Sequence, residues 1–255
     1  MAKQQGPDPT SNSPWFSGTE DFTGYMAVAL RLIDRERRRL HVLDLPAGLG
    51  QFTDALRARG HTVTPADLNL VRPDYIRADM NGRLPFDDGA FDGAVCLEGI
   101  EHLVDPLNLL RELIRVVRPG GLVILSTPNI HNYFSRLQFL FTGTWYQFNP
   151  ATLRDLPADA QEDRFHISPI AYPWLRHRAD LLGADVEAVE GDRWKRKALL
   201  PVYALVWALG RPWARRLFFS KKASPWRSRN ESMHAHINSR ALLLSRTMIA
   251  VLRKR

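Results

Sequence analysis

Apolar positions along this chain alternate between two spacings. Over residues 22–39 they recur at helical intervals, with Met26, Leu30 and Ile33 on one face, before an arginine-rich stretch at 35–39. A short apolar strand is predicted at 41–45. The loop Pro46-Ala47-Gly48-Leu49-Gly50 follows, then a helix at 51–59 with Phe52, Ala55 and Leu56 on one side. Gly60 stands where a helix is usually stopped. Strands are predicted at 61–67 and 75–79, each ending in an acid, and at 92–97. A helix at 106–117 buries Leu107, Leu110, Leu113, Ile114 and Val117, a turn falls at 119–121, and a strand follows at 122–126. Strands alternating with helices at this pace predict an α/β fold with a parallel, doubly wound sheet.

Beyond Pro128 the pattern loosens. Residues 129–163 read as irregular and aromatic, with Phe134, Phe139, Phe141, Trp145, Tyr146 and Phe148, the kind of segment that often covers an active site. A helix is predicted at 169–182 and strands at 184–190 and 246–252. Between those strands lies an insertion, residues 193–240, whose uninterrupted apolar run (198–210) is 13 residues long. A bilayer span needs about 20, and extension to Phe219 would bring in Arg211, Arg215 and Arg216. The expected organisation is a disordered tail at 1–14, a catalytic core at 15–192, the insertion at 193–240 and a final core strand within 241–255.

Charge sharpens that division. Residues 193–255 carry 16 Lys or Arg against the single acid Glu231, a net +15, while the preceding residues sum to −7. An anionic partner is expected for the basic part, either a membrane surface or a nucleic acid; a merely solvated face is the plainer alternative. Basic flanks enclosing Trp and Phe suit a helix lying on a membrane, and a lid packed on the core is the competing reading. Cys96 is the only cysteine, and residues 1–14 lack the apolar stretch of a signal peptide. Both fit a reducing, cytoplasmic location, peripheral on the inner face of a membrane if the insertion binds lipid.

The first chemical candidate is the loop after the opening strand. Gly48 and Gly50 remove the Cβ atoms that would keep a ligand from the backbone, and the helix N-terminus offers N–H donors. A dinucleotide site would begin the same way. Asp67, ending the second strand, is placed to accept from ribose hydroxyls. Asp79, ending the third, is placed to accept from an adenine amino group, and no Walker phosphate-binding pattern occurs.

The segments VLDLPAGLGQFTDAL, Asp67, ADMNGRLPFDDGAFDGAV, EGIEHLVDP and RELIRVVRPGGLVILSTPN, in that order over about residues 40–130, resemble class I S-adenosylmethionine-dependent methyltransferases. The resemblance implies a Rossmann-like, seven-stranded, mostly parallel sheet whose last strand, 246–252 here, is antiparallel. It implies that Asp44 lies near the methionine end of S-adenosylmethionine, with Gly48 and Gly50 lining it. Asp67 would hold the ribose and Asp79, beside Met80, the adenine amino group. Leu97 and Glu98 would pass beneath the sulfonium. Pro46 stands where the family has its first loop glycine, which stiffens the turn and removes one N–H.

A second cluster is Glu98-Gly99-Ile100-Glu101-His102. A helical turn begun at Glu98 would put Glu98, Glu101 and His102 on one face. With His166 they could hold a hard divalent cation, Mg²⁺ or Mn²⁺; the alternative is that Glu98 and His102 are hydrogen-bonded supports. The arrangement is similar to the metal site of small-RNA terminal 2′-O-methyltransferases and to the ubiquinone-pathway O-methyltransferases. His102, His131 and His166 are the candidate bases for deprotonating a hydroxyl acceptor, His166 foremost. The function expected is O-methylation of a lipid-linked glycan or another membrane-associated small molecule. RNA methylation through the basic region, or a non-catalytic membrane-bound scaffold, are the alternatives.

Overall fold

The computed structural model of the protein describes residues 22–148, 165–194, 196–220 and 227–255. The expected tail at 1–14 lies outside them, as does part of the aromatic segment. The described residues contain seven strands: β1 His41–Asp44, β2 Thr62–Asp67, β3 Ile76–Arg77, β4 Phe91–Leu97, β5 Val117–Pro128, β6 Ala184–Gly191 and β7 Thr247–Lys254. They form one sheet in the order β3-β2-β1-β4-β5-β7-β6. The first five are parallel neighbours, while β7 runs antiparallel to both β5 and β6. The seven-stranded sheet with a reversed last strand is therefore as expected.

Helices α1 Gly24–Asp34, α2 Gln51–Ala58, α3 Pro106–Val116 and α5 Tyr172–Leu181 fall on the segments whose apolar spacing predicted them. Because strand side chains alternate in direction, each central strand feeds two cores. Leu43, Ala94, Cys96, Val123, Leu125, Met248 and Ala250 pack into one, with α3 and α5. Val42, Val95, Leu97, Leu122, Ile124, Ile249 and Val251 pack into the other, with α1 and α2. That two-sided burial explains why these strands are almost continuously apolar.

Three local expectations need correction. β3 is only two residues long, so Asp79 follows the strand rather than ending it. The turn at 119–121 lies inside β5: pairing with β4 jumps from Phe91↔Val117 to Gly93↔Leu122, so the intervening residues bulge from the strand. The segment after Pro128 contains a helix, α4 Tyr133–Thr142, where irregular chain was expected. Asn132 caps it by accepting from the Ser135 N–H at 2.8 Å, and Gly143 ends it at φ +70.

The basic region folds as a one-turn 3-10 helix, Lys197–Leu199, followed by α6 Leu200–Phe219, α7 Arg227–Ile237 and α8 Arg240–Leu244. Met233, Ile237 and Leu242 pack into the α3/α5 core. In contrast, α6 buries only Tyr203. Among the described residues no helix is long and apolar enough to cross a membrane.

Asn129, at the end of β5, joins this region to the sheet. Its side-chain amide donates to the carbonyls of Ala241, Leu242 and Ser245 at 3.2, 3.0 and 2.9 Å, and its Oδ1 accepts from the His131 N–H at 2.9 Å. Its own N–H donates to the Arg246 carbonyl at 2.9 Å. Replacing Asn129 by Ala leaves those buried carbonyls short of a donor and should cost about 2 kcal/mol. The expected result is a Tm lowered by roughly 5 °C, read by differential scanning calorimetry.

Candidate active site

β1 and β4 lie side by side at the centre of the sheet, so the loops leaving their C-terminal ends converge at one edge. Asp44, the last residue of β1, is 2 % exposed. Its Oδ2 accepts from the Thr53 hydroxyl at 2.6 Å. Burial, with Asp67 adding like charge, nevertheless raises its pKa to about 7. Pro46 packs so closely under Gly99 that a Cβ on Gly99 would come within 2.7 Å of the proline ring. Gly48 sits at φ +54, and a Cβ there would meet nothing within 4 Å, so the loop leaves open space over this glycine. Gly50, at φ +87, occupies the N-cap position of α2.

Asp67 is buried at the end of β2 and ties the loop down. Its Oδ2 accepts from the Gly48 N–H and its Oδ1 from the Asn69 N–H, both at 2.9 Å. Asp79 is exposed; its Oδ1 accepts from the Asn81 backbone at 2.8 Å, which fixes the short turn leaving β3, with Met80 half-buried beside it. Two side chains not anticipated from the sequence complete this side. Arg72 grips Asp54 with both terminal nitrogens at 2.8 Å and donates to the Leu49 carbonyl at 2.6 Å, clamping the glycine loop to α2. The Tyr75 hydroxyl donates to the Gly48 carbonyl at 3.1 Å. Neither residue belongs to a spacing pattern, so no signal in one sequence marks them.

The expected helical turn from Glu98 does not form. Glu98 has φ +50, which turns the chain before the one-turn 3-10 helix Ile100–His102 begins. Its N–H and carboxylate both face Ser126: the N–H donates to the Ser126 hydroxyl at 2.9 Å, and that hydroxyl donates to Glu98 Oε1 at 3.0 Å. Burial raises the Glu98 pKa to about 7, against the pull of Arg246. Glu98 therefore stands apart from the other three residues expected with it.

Those three do converge. One ligand-type atom each from Glu101, His102 and His166 lie within 4.8 Å of one another. The 166 segment is held there because the Ile167 and Ser168 N–H groups both donate to the Glu101 carbonyl at 2.9 Å, and the Ser168 hydroxyl donates to the Leu103 carbonyl. Glu101 is fully buried, with the Thr127 hydroxyl beside its carboxyl. Burial, reinforced by Glu98, raises the Glu101 pKa well above the carboxylate range. His166 Nδ1 lies 2.8 Å from the Gln147 carbonyl, which can only accept, so Nδ1 carries the proton and Nε2 the lone pair. Burial lowers the His166 pKa and keeps the ring neutral. His131 is unsuited to the role of base: its Nε2 lone pair already accepts the Tyr172 N–H at 2.7 Å, and burial lowers its pKa to about 4.

A family model described as a methyltransferase domain matches residues 19–162, more than half of the chain. The chain belongs to the class I methyltransferases that use S-adenosylmethionine. It is 35% identical to a demethylmenaquinone methyltransferase of Clavibacter sepedonicus over 35% of this chain and 42% of that one, less than half of that relative's length. It is 28% identical to a ubiquinone biosynthesis O-methyltransferase of Xanthomonas campestris over 62% of this chain and 70% of that one. The fold is similar to that of an Archaeoglobus fulgidus S-adenosylmethionine-dependent methyltransferase, with a TM-score of 0.53, 15% identity and coverage of 91% and 93%. It is also similar to a 1,6-didemethyltoxoflavin-N1-methyltransferase of Burkholderia thailandensis solved with bound S-adenosylhomocysteine, with a TM-score of 0.51, 14% identity and coverage of 95% and 81%.

In this methyltransferase, Asp44 and Glu98 keep protons in the fold up to about pH 7 that the unfolded chain gives up near pH 4. Between those values the folded chain binds more protons, so these groups make stability fall as pH rises from about 4 through 7. Scanning calorimetry of the ligand-free protein should show a Tm declining from pH 5 to 8, with a shallower decline in Asp44→Asn. An unchanged slope in that variant would contradict the raised pKa of Asp44.

Proposed function

We propose that this methyltransferase transfers a methyl group from S-adenosylmethionine to a hydroxyl of a small, membrane-associated acceptor, a lipid-linked glycan or a ring in a polyprenylated quinone precursor. The observation that carries the O-methylation reading is His166: a neutral imidazole with Nε2 free, beside the buried Glu101 and His102. The quinone-pathway names of the relatives point to an aromatic hydroxyl.

The open space over Gly48 suits the cofactor, with Asp44 and Pro46 at its methionine end and Gly48 and Gly50 lining it. Asp67 serves the ribose, and the exposed Asp79 with Met80 serves the adenine. Leu97 and Glu98 lie beneath the reacting sulfur. Asp44 ionises readily once a cationic cosubstrate is beside it, since opposite charge offsets its burial. The acceptor oxygen attacks the methyl carbon in line, the carbon–sulfur bond breaks, and sulfur keeps the electron pair. His166 Nε2 takes the hydroxyl proton. Glu101 and His102 orient the acceptor; they are also where Mg²⁺ or Mn²⁺ would bind, with Glu98 outside the set.

Replacing His166 by Ala should lower kcat by at least about 10²-fold, the scale of general-base catalysis, with S-adenosylhomocysteine affinity unchanged by calorimetry. Unchanged turnover removes His166 as the base. Dialysis against EDTA followed by Mn²⁺ addition tests the metal; activity that responds to neither excludes it.

Membrane association is supported by α6. Leu205, Leu209, Trp213 and Leu217 form one exposed stripe at intervals of four residues, Leu140 and Phe141 are exposed at the end of α4, and α6 has arginines but no acid. The protein should pellet with vesicles containing phosphatidylglycerol, and Leu209→Glu with Trp213→Glu should abolish pelleting. Salt-sensitive RNA binding without pelleting would favour RNA instead.

A further inference from the structure

A partly open pocket lies beside the proposed methyl-acceptor site, lined among others by Phe134, Tyr146, Arg196, Tyr203 and Arg246. It is small, with room for about one water-sized group such as a single oxygen atom, and it opens to solvent at the mouth. Arg246 links the two places, because its charge acts on Glu98, Glu101 and His166. Tyr146 and the Gln147 carbonyl that orients His166 are consecutive in the chain.

The pocket's polar groups lack a complement. Among the described residues neither Arg196 nor Arg246 has a carboxylate within salt-bridge distance. Arg246 acts on the Glu98 and Glu101 carboxyls only from beyond that distance. Tyr203 is 4 % exposed, and its buried hydroxyl has no hydrogen-bond partner. The buried Tyr203 hydroxyl is costly unless a ligand accepts from it, and the half-buried Arg246 and exposed Arg196 supply positive charge beside it. The chemistry that satisfies all three is an oxyanion, which accepts a guanidinium fork and a hydroxyl donor together.

The groups are also held in place. The Arg196 guanidinium lies 3.2 Å from the centre of the Phe134 ring and 5.2 Å from that of Tyr146. The Arg246 backbone is fixed on both sides, its carbonyl by Asn129 and its N–H by the Arg193 carbonyl, each at 2.9 Å. Tyr203 stacks on Tyr133 with ring centres 5.4 Å apart.

We propose that this pocket binds an oxyanion carried by the methyl acceptor, a carboxylate or a phosphate, gripped by Arg196 and Arg246 with the Tyr203 hydroxyl as a third donor. The inference rests on the neighbouring site being the acceptor site. The anion then sets specificity by fixing the distance from the charged group to the hydroxyl that is methylated.

The test is binding without turnover. Calorimetry on the full chain, saturated with S-adenosylhomocysteine, compares benzoate, phenyl phosphate and phenol. At least one anion should bind 30-fold or more tightly than phenol, and the stronger of the two identifies the anion. Arg246→Met and Tyr203→Phe should each weaken that anion at least tenfold while leaving phenol unchanged, and Arg246→Lys should retain part of the preference. Equal affinity for all three ligands in the wild-type protein overturns the proposal without any variant. So does an anion preference that survives Arg196→Met with Arg246→Met. A loss confined to S-adenosylhomocysteine affinity in Arg246→Met reassigns that arginine to the cofactor and also overturns it. Because no methylation is measured, failure of the O-methylation reading is seen separately, as absent turnover of every acceptor despite anion binding.

Discussion

Three carboxyl groups at one edge of the sheet are drawn out of water, Asp44 and Glu101 fully and Glu98 in part, with no salt-bridge partner among the described residues. Desolvation on that scale is tolerated only where the surroundings hold it, and the surroundings here are the C-terminal ends of β1, β4 and β5. The Thr53 hydroxyl donates a hydrogen bond to Asp44, and the Ser126 hydroxyl to Glu98. Glu101 has Thr127 beside it, which only partly offsets its burial. Asp44 and Glu98 are therefore set near neutrality and Glu101 above the usual carboxylate range, so each responds to a charge placed beside it.

The loops around that edge are arranged to preserve it. Asp67, Arg72 and Tyr75 come from the β2 and β3 side and hold the Gly48–Gly50 loop open rather than filling it. On the opposite side Asn129 ties the α8–β7 junction to the end of β5, which brings Arg246 to the same edge. One half of the edge is thus built from short local connections and the other from residues more than a hundred positions apart.

This difference decides what could be read in advance. Alternation of apolar strands and helices is a local property, so α1, α2, α3 and the central strands are legible, as are Asp44, Gly48, Gly50 and Asp67 at strand ends. The helix α4 was hidden because its aromatic residues serve a small satellite cluster with Tyr203 and Leu243, which blurs its helical spacing. Glu98 misled because a helical face presumes helical dihedrals, and its φ of +50 breaks the turn before it starts. His131 stood behind His166 among the candidate bases, and the Tyr172 N–H that occupies its lone pair removes it.

The sequence by itself determined the sheet, the glycine loop after β1 and the class of reaction, because each depends on contacts between neighbours in the chain or on residue types at strand ends. Only the tertiary structure decided which histidine keeps a free nitrogen, which carboxyls are buried, and that Arg196, Tyr203 and Arg246 line one space. Those are matters of burial and of hydrogen bonds across long separations, and no spacing along the chain encodes them.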